Sequence, residues 1–335
     1  MSDQYQALLD RFQYKLNDLF HNANIRLRMG VKTRSEGVEP ILLFDQARAA
    51  CSRIRGDYKD HLMIYDEDMY KREILDQRLL NDLHKAVEER QFRVFYQPKY
   101  NIQCEEPVLS SAEALIRWKH PELGMISPGD FIPLFESNGQ ITVVDNYVWN
   151  ETARQIAEWR KKFGVTIPVS VNLSRVDIFD PMLEERLDRI IEENNLSYKS
   201  MKLEVTESAY INNADRLIDV ITRLREKGFE IEMDDFGSGY SSLNMLSSMP
   251  IDILKLDMKF VQNIETNDKD YHLVKMVLEI AKYLGVPVIA EGVENQTQLE
   301  MLRGMECDLV QGFYFSRPVP PEDFEKFIMR ELAAA

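Results

Sequence analysis

Two adjacent carboxylates, Asp234 and Asp235, close the run Phe229-Glu-Ile-Glu-Met-Asp-Asp235. In an extended chain, Glu230, Glu232 and Asp234 share one face and Phe229, Ile231 and Met233 the other. The same alternation sets Lys202, Glu204 and Thr206 against Leu203 and Val205, and Ser170 and Asn172 against Val169 and Val171. It also sets Glu113, Leu115 and Arg117 against Ala114, Ile116 and Trp118. Carboxylates aimed into a shared interior repel one another and lose hydration, which is tolerable when cations neutralise them or some are protonated. The oxygen-rich residues Glu113, Asn172, Glu204, Glu207, Asp234, Asp235 and Glu291 fall at or near the ends of β-rich runs, with no His or Cys among them. Hard oxygen donors suit Mg²⁺ or Mn²⁺, with Ca²⁺ as an inhibitory substitute. At a strand terminus, Asp234 and Asp235 can bracket two ions about 3.5–4 Å apart, the spacing of two-metal phosphoryl-transfer sites. Lys255, between Leu254 and Leu256, needs a carboxylate partner if that strand is buried.

Each residue also has a simpler reading. Asp234-Asp235 before Phe-Gly can be a turn with a helix N-cap, and Asn172 before Leu-Ser can be only a cap. Glu204 and Glu207 can be surface or helix-start charge, and Glu291 beside Gly292 a solvated loop residue. Gly237 and Gly239 supply turn conformations, and Gly-Ser-Gly lacks the Lys-Ser/Thr ending of a phosphate loop. What favours chemistry is convergence, one polar residue at the same end of many successive strands.

The elements that must position these side chains are short β-rich runs near 93–97, 112–117, 168–172, 202–206, 229–233, 252–256, 286–290 and 308–312. Helical periodicity fills most of the gaps, at Val144 to Phe163, Leu183 to Glu193, Ala214 to Lys227, Tyr271 to Leu284 and Gln296 to Met305. Eight strands alternating with helices predict an α/β fold of the closed (β/α)8 TIM-barrel type over 91–332, with an open doubly wound sheet as competitor. The stretch from Gln97 to Leu109, with Pro98, Asn101 and Pro107, is too short for a helical crossover. The first strand is therefore expected to run antiparallel to the second, modifying the barrel. Before it, Met69 to Arg90 carries Leu75, Leu79, Leu80, Leu83 and Val87 on one stripe, a linker helix. Residues 1–68 read as a small α/β segment. Tyr5 to Phe20 has helical spacing, Ile25 to Met29 alternates as a strand, a helix starts after Pro40, and His61 to Tyr65 is a short strand.

Composition narrows the function. Of 335 residues, 44% are hydrophobic and 29% charged, enough apolar material for sizeable cores. With 41 basic and 56 acidic residues the net charge is −15, which disfavours a nucleic-acid polymer as partner. A phosphate-bearing ligand would need a local cation to overcome that field. Cys51, Cys104 and Cys307 are scattered and lack C-x-x-C spacing, against a disulfide framework or zinc knuckle. The absence of a long uncharged apolar run and of a signal-peptide pattern predicts a soluble, cytoplasmic protein without a membrane segment.

These residues resemble the EAL family of cyclic-di-GMP phosphodiesterases. The signature is Glu113-Ala-Leu115 within Ser111 to Trp118, joined by Tyr96-Gln-Pro98, His120-Pro, Pro128 to Pro133 and Val171-Asn-Leu-Ser174. It continues through Leu203 to Glu207, Asp234 to Leu243, Leu254-Lys-Leu-Asp257, Ala290 to Glu294 and Gln311-Gly312, spanning about residues 75 to 330. The family fold is a barrel with an antiparallel first strand. The resemblance implies hydrolysis of cyclic-di-GMP to linear pGpG with two Mg²⁺ or Mn²⁺ ions per site. It implies that Glu113, Asn172, Glu204 and Asp234 hold one metal and that Asp234 and Asp235 bridge to a second. Glu113 and Asp235 thereby count as catalytic, and Lys255 and Glu291 orient or deprotonate the attacking water, which of the two being open. Gln311 supports that network and Asp257 assists, while Gln97, Leu115 and Arg117 hold the dinucleotide. Glu207 braces the loop Phe236 to Ser242, which in the family links the metal site to a homodimer surface.

The first segment resembles the last part of a GGDEF module, through Ile41 to Ala47 and the strand to Tyr65-Asp66. The Gly-Gly-Asp/Glu-Glu-Phe signature is absent, so cyclase activity is not expected, and a truncated or an eroded module fits equally. Two other functions remain open on sequence: a sensor that binds cyclic-di-GMP without hydrolysis and signals through the N-terminal segment or a partner, and a barrel hydrolase of another phosphodiester.

Overall fold

The computed structural model describes residues 2–20, 25–34, 37–55, 60–237, 245 and 248–334. The chain forms two compact units, Met1–Leu83 and His84–Ala335, and the division falls inside the helix Glu67–Glu88. That helix lies where a linker helix was expected, with its residues 67–83 in the first unit and 84–88 in the second.

In the first unit, helix Ser2–Leu19 precedes β1 (Met29–Val31), helix Pro40–Arg53 and β2 (Leu62–Ile64), and β1 and β2 pair in parallel. Ala50, Tyr65 and Met69 form its buried cluster. The strand expected at Ile25 to Met29 lies further along. Gln13 explains the shift, because its side chain accepts from Leu27 N at 2.8 Å and donates to Ile25 O at 2.6 Å. Those backbone groups are satisfied by a helix side chain, and sheet pairing begins only at Met29.

The second unit is built on β3 (Phe92–Asn101), β4 (Val108–His120), β6 (Val169–Asn172), β7 (Met201–Thr206), β8 (Ile231–Phe236), β9 (Ile253–Leu256), β10 (Val288–Glu291) and β11 (Leu309–Gln311). Neighbours pair in the order β4-β6-β7-β8-β9-β10-β11-β3, and β3 returns to β4, so the sheet closes. All of these pairings are parallel except the two made by β3, which is antiparallel to both β4 and β11. A further strand, β5 (Gly124–Ile126), pairs only with β4 and was not anticipated.

β3 and β4 also run further than their patterns suggested. Pro98, which counted above only against a helix, is accommodated in the strand because its missing N–H falls between the bridge Tyr96–Val319 and the start of β11 pairing at Lys99. Ten residues of β3 are therefore strand, and Lys99 joins Gln97 on one face. Helices such as Ile141–Phe163, Leu183–Glu193 and Ala214–Lys227 cover the outside with their apolar stripes. Beneath them Phe92, Trp118 and Phe131 pack with ring centroids 4.9–5.9 Å apart, and Tyr96, Trp159 and Phe324 with centroids 4.9–6.0 Å apart. Among the described residues no helix is long and apolar enough to cross a membrane.

Candidate active site at the barrel mouth

The inward faces of the strands carry the polar residues that the alternation singled out, and the register lines them up. Gln97 lies opposite Glu113, Asn172 beside Glu204, Glu204 beside Glu232, Thr206 beside Asp234, and Glu291 beside Gln311. Lys255 stands at the centre. Its Nζ lies 2.8 Å from Glu291, 3.0 Å from Asp234, 3.1 Å from Glu204 and 3.5 Å from Glu113. Four strands thus aim a carboxylate at one ammonium that is 1% exposed.

Gln311 knits the rim, its Nε2 donating to Glu113 Oε2 at 2.6 Å and to Gln97 Oε1 at 2.9 Å. Gln97 Nε2 donates onward to Ser316 O at 3.1 Å. Gly312 makes the next step possible, since a Cβ there would overlap the Val293 carbonyl oxygen.

Crowding four carboxylates around one lysine has electrostatic consequences. Burial opposes the Lys255 charge, but Asp234, Glu113, Glu204 and Glu291 outweigh it and hold the ammonium well above the ordinary lysine range. Burial likewise opposes ionisation of Glu204, and the ammoniums of Lys255 and Lys99 reverse the balance, keeping its carboxyl far below the usual range. Glu113 goes the other way: burial and the Glu204 charge push it up to about 7 despite the lysines. Glu291 is pushed up to about 8, burial leading, with Asp234 and Glu113 adding to it against Lys255. The mouth carries more negative charge than its lysines balance.

Asp234 and Asp235 sit in a β-bulge. The register of β8 against β9 shifts between Met233 and Phe236, and Asp235 has a left-handed φ of 57°. Asp234 reaches Lys255, whereas Asp235 is exposed and its amide donates to Asp234 Oδ1 at 2.9 Å. Its partial desolvation, and then the charges of Asp234 and Asp257, raise the carboxyl of Asp235.

Several expected residues stand apart from this cluster. Asn172 is exposed at the end of β6, its carbonyl accepting from Trp149 Nε1 at 3.0 Å. Arg117 donates to Ile116 O at 2.8 Å, and its guanidinium lies 5.7 Å from the Phe95 ring centroid. Asp257 caps the helix Met258–Gln262, accepting from Lys259 N at 2.8 Å. Glu207 Oε2 accepts from Gly237 N at 3.1 Å, at the start of the loop it was expected to brace. Residues 238–242 of that loop lie outside the described residues. Leu115, Arg117, Asn172 and Ser174 line a pocket of about 610 Å³ together with Pro128 and Ile132.

The fit of a divalent cation rests on donor chemistry and on unused acceptors. Glu204 Oε2 and Gln311 Oε1 are buried and accept no hydrogen bond among the described residues. Both are hard oxygens beside excess negative charge, which fits Mg²⁺ or Mn²⁺. Among the described residues no three His, Cys, Asp or Glu side chains are already closed around a cation-sized position; the carboxylates close on Lys255 instead.

Sequence reasoning missed Lys99. Its Nζ lies 2.8 Å from Glu204 Oε1 and 2.6 Å from Glu232 Oε2. The signal was present, since Lys99 is two residues from Gln97, but ending the strand at Gln97 removed it from the inner face.

A closed (β/α) barrel with its ionisable groups gathered at the C-terminal ends of the parallel strands belongs to the architecture of barrel enzymes. Within that class the family is definite: residues 80–318 match the EAL domain, and the chain belongs to that family. It is 37% identical over 254 residues to the cyclic di-GMP phosphodiesterase PdeR of Escherichia coli K12, covering 76% of this chain and 38% of that protein. It is 32% identical over 286 residues to the cyclic di-GMP phosphodiesterase NbdA of Pseudomonas aeruginosa, covering 85% of this chain and 36% of that protein. The chain therefore spans well under half the length of these curated relatives. Among solved structures, the PaMucR phosphodiesterase in complex with c-di-GMP matches with a TM-score of 0.70 at 34% identity, over 74% of this chain and 99% of that one.

Proposed function

We propose that this chain hydrolyses cyclic-di-GMP to linear pGpG. The observation that carries this reading is the convergence of Glu113, Glu204, Asp234 and Glu291 on Lys255, in a member of a family whose relatives are named for that substrate. Glu113, Asn172, Glu204, Asp234 and Asp235 would hold two Mg²⁺ or Mn²⁺ ions, with Ca²⁺ inhibitory. When bound, such ions polarise the phosphodiester and acidify water.

The chain's own groups divide the remaining work. Water attacks phosphorus in line, the bond to the departing 3′ oxygen breaks, and that oxygen takes up a proton. Lys255 stays protonated, which makes it a donor that orients the water and leaves the proton to a carboxylate. Glu291, 2.8 Å from Lys255 and held near neutrality, is the acceptor this arrangement favours. Arg117, at the edge of the 610 Å³ pocket, meets a phosphate, and Leu115 packs on the nucleoside placed there. Gln97 and Gln311 hold Glu113 and the rim in place.

Purified protein incubated with cyclic-di-GMP and Mg²⁺ is expected to release pGpG, and Glu113→Ala or Asp234→Ala to abolish that release. Binding without any product would establish the sensor reading instead, and wild-type turnover by either variant would overturn the site.

A further inference from the structure

Below the mouth, the barrel interior holds a second ionic layer that the hydrolytic reading leaves without a task. Lys99 is 0% exposed and crosses the lumen from β3. Its Nζ donates to Ser170 Oγ on β6 at 2.8 Å, to Glu204 Oε1 on β7 at 2.8 Å and to Glu232 Oε2 on β8 at 2.6 Å. These three acceptors use every proton of the ammonium. The other Glu232 oxygen lies 3.6 Å from Lys202 Nζ, which in turn lies 3.1 Å from Glu230. Charges of alternating sign thus run Glu230, Lys202, Glu232, Lys99, Glu204, Lys255 up to the mouth.

Glu204 is where the two layers meet. Its Oε1 is taken from below by Lys99, while Oε2 accepts no hydrogen bond among the described residues and faces Lys255 at 3.1 Å. A buried carboxylate anchored at one oxygen has fewer orientations open to it. The other oxygen faces the mouth, where its partner is the Lys255 ammonium at 3.1 Å.

We propose that Lys99, balanced by Glu232, is a positioning residue that clamps Glu204 so that Oε2 alone is presented to a divalent cation. The proposal rests on the hydrolytic reading above. Fold stability alone is a weak reason for the clamp, because apolar packing of the same volume often stabilises a fold as well as a buried ion pair does.

The test measures Mn²⁺ binding to metal-free protein by calorimetry, for wild type, Lys99→Met, Glu232→Gln and the double variant. Turnover of cyclic-di-GMP and denaturant unfolding are followed in parallel. Two effects oppose each other when Lys99 is removed. Losing a nearby positive charge strengthens cation binding by Coulomb attraction alone, whereas losing the clamp weakens it.

Positioning predicts that Lys99→Met and the double variant bind Mn²⁺ roughly 10–100-fold more weakly, with turnover falling alongside. It also predicts that the double variant, in which Glu232 no longer stands without its lysine, regains unfolding stability over Lys99→Met without regaining Mn²⁺ affinity. Double-variant binding as tight as wild type or tighter overturns the proposal, and that variant carries the test if Lys99→Met does not fold. A wild type that binds no Mn²⁺ and yields no pGpG overturns the hydrolytic reading itself, a result separate from wild-type-like behaviour in the variants.

Discussion

The two walls of the lower barrel interior fill the same kind of space with opposite chemistry. On β9, β10 and β11, Ile253, Ile289 and Leu309 form an apolar cluster on the face that also carries Lys255, Glu291 and Gln311 further up. Facing them, Lys99, Ser170, Glu204 and Glu232 form a hydrogen-bonded ionic wall contributed by β3, β6, β7 and β8. Burying an isoleucine or leucine contributes about 1.5–3 kcal/mol. Desolvating an ion pair offsets most of its own attraction. The apolar wall is therefore what the barrel needs in order to fold. The ionic wall reaches the mouth through Glu204, where chemistry can use it.

That contrast can be broken from its centre outward. Lys255→Met removes the cation shared by Glu113, Glu204, Asp234 and Glu291, so turnover should fall about 10²–10³-fold. Unfolding in denaturant should show a loss of about 3–5 kcal/mol, as when one partner of a buried pair is deleted. A variant with near-normal turnover would detach the ammonium from the chemistry.

Ile289→Ala tests the other wall. It should cost about 2–5 kcal/mol of stability through the cavity it leaves, while turnover per folded molecule stays at the wild-type level. A selective loss of turnover would show that the walls are not divided as described.

The smallest effect concerns a buried carboxylate that has no lysine or arginine in ion-pair contact among the described residues. Asp145 is raised well above its ordinary value of 3.8, by burial first and then by Asp177. Its neutral form is favoured by folding, so this contribution is complete below the unfolded value and is lost as pH rises through the folded one. Asp145→Asn keeps the neutral shape. Unfolding across pH should show the variant gaining on wild type as pH rises above 4, with the two converging below it. A gain that is largest in acid would reverse the sign and overturn the assignment.

Much of the mouth was legible in the alternation of single strands. Glu204 opposite Leu203 and Val205, or Asp234 opposite Met233, needs only the two-residue period of an extended chain. Lys255 between two leucines announced a buried charge in search of partners, and the partners proved to be carboxylates. Where reading failed, a competing interaction had won. Gln13 satisfied the backbone at Ile25 and Leu27 and delayed β1, and β3 ran through Pro98 to Lys99 because the missing N–H falls between the Tyr96–Val319 bridge and the β11 pairing. The bulge at Asp234-Asp235 shows itself only in the register with β9 and in the left-handed φ of Asp235.

The sequence by itself determined which side chains face inward and which oxygen donors reach the strand ends, because those follow from backbone periodicity within one segment. Tertiary structure alone decided that Lys99 from β3 meets Glu204 from β7 and Glu232 from β8. Contacts across a lumen depend on barrel closure and on the relative register of strands more than a hundred residues apart, as with Lys99 and Glu204. No local pattern carries that information.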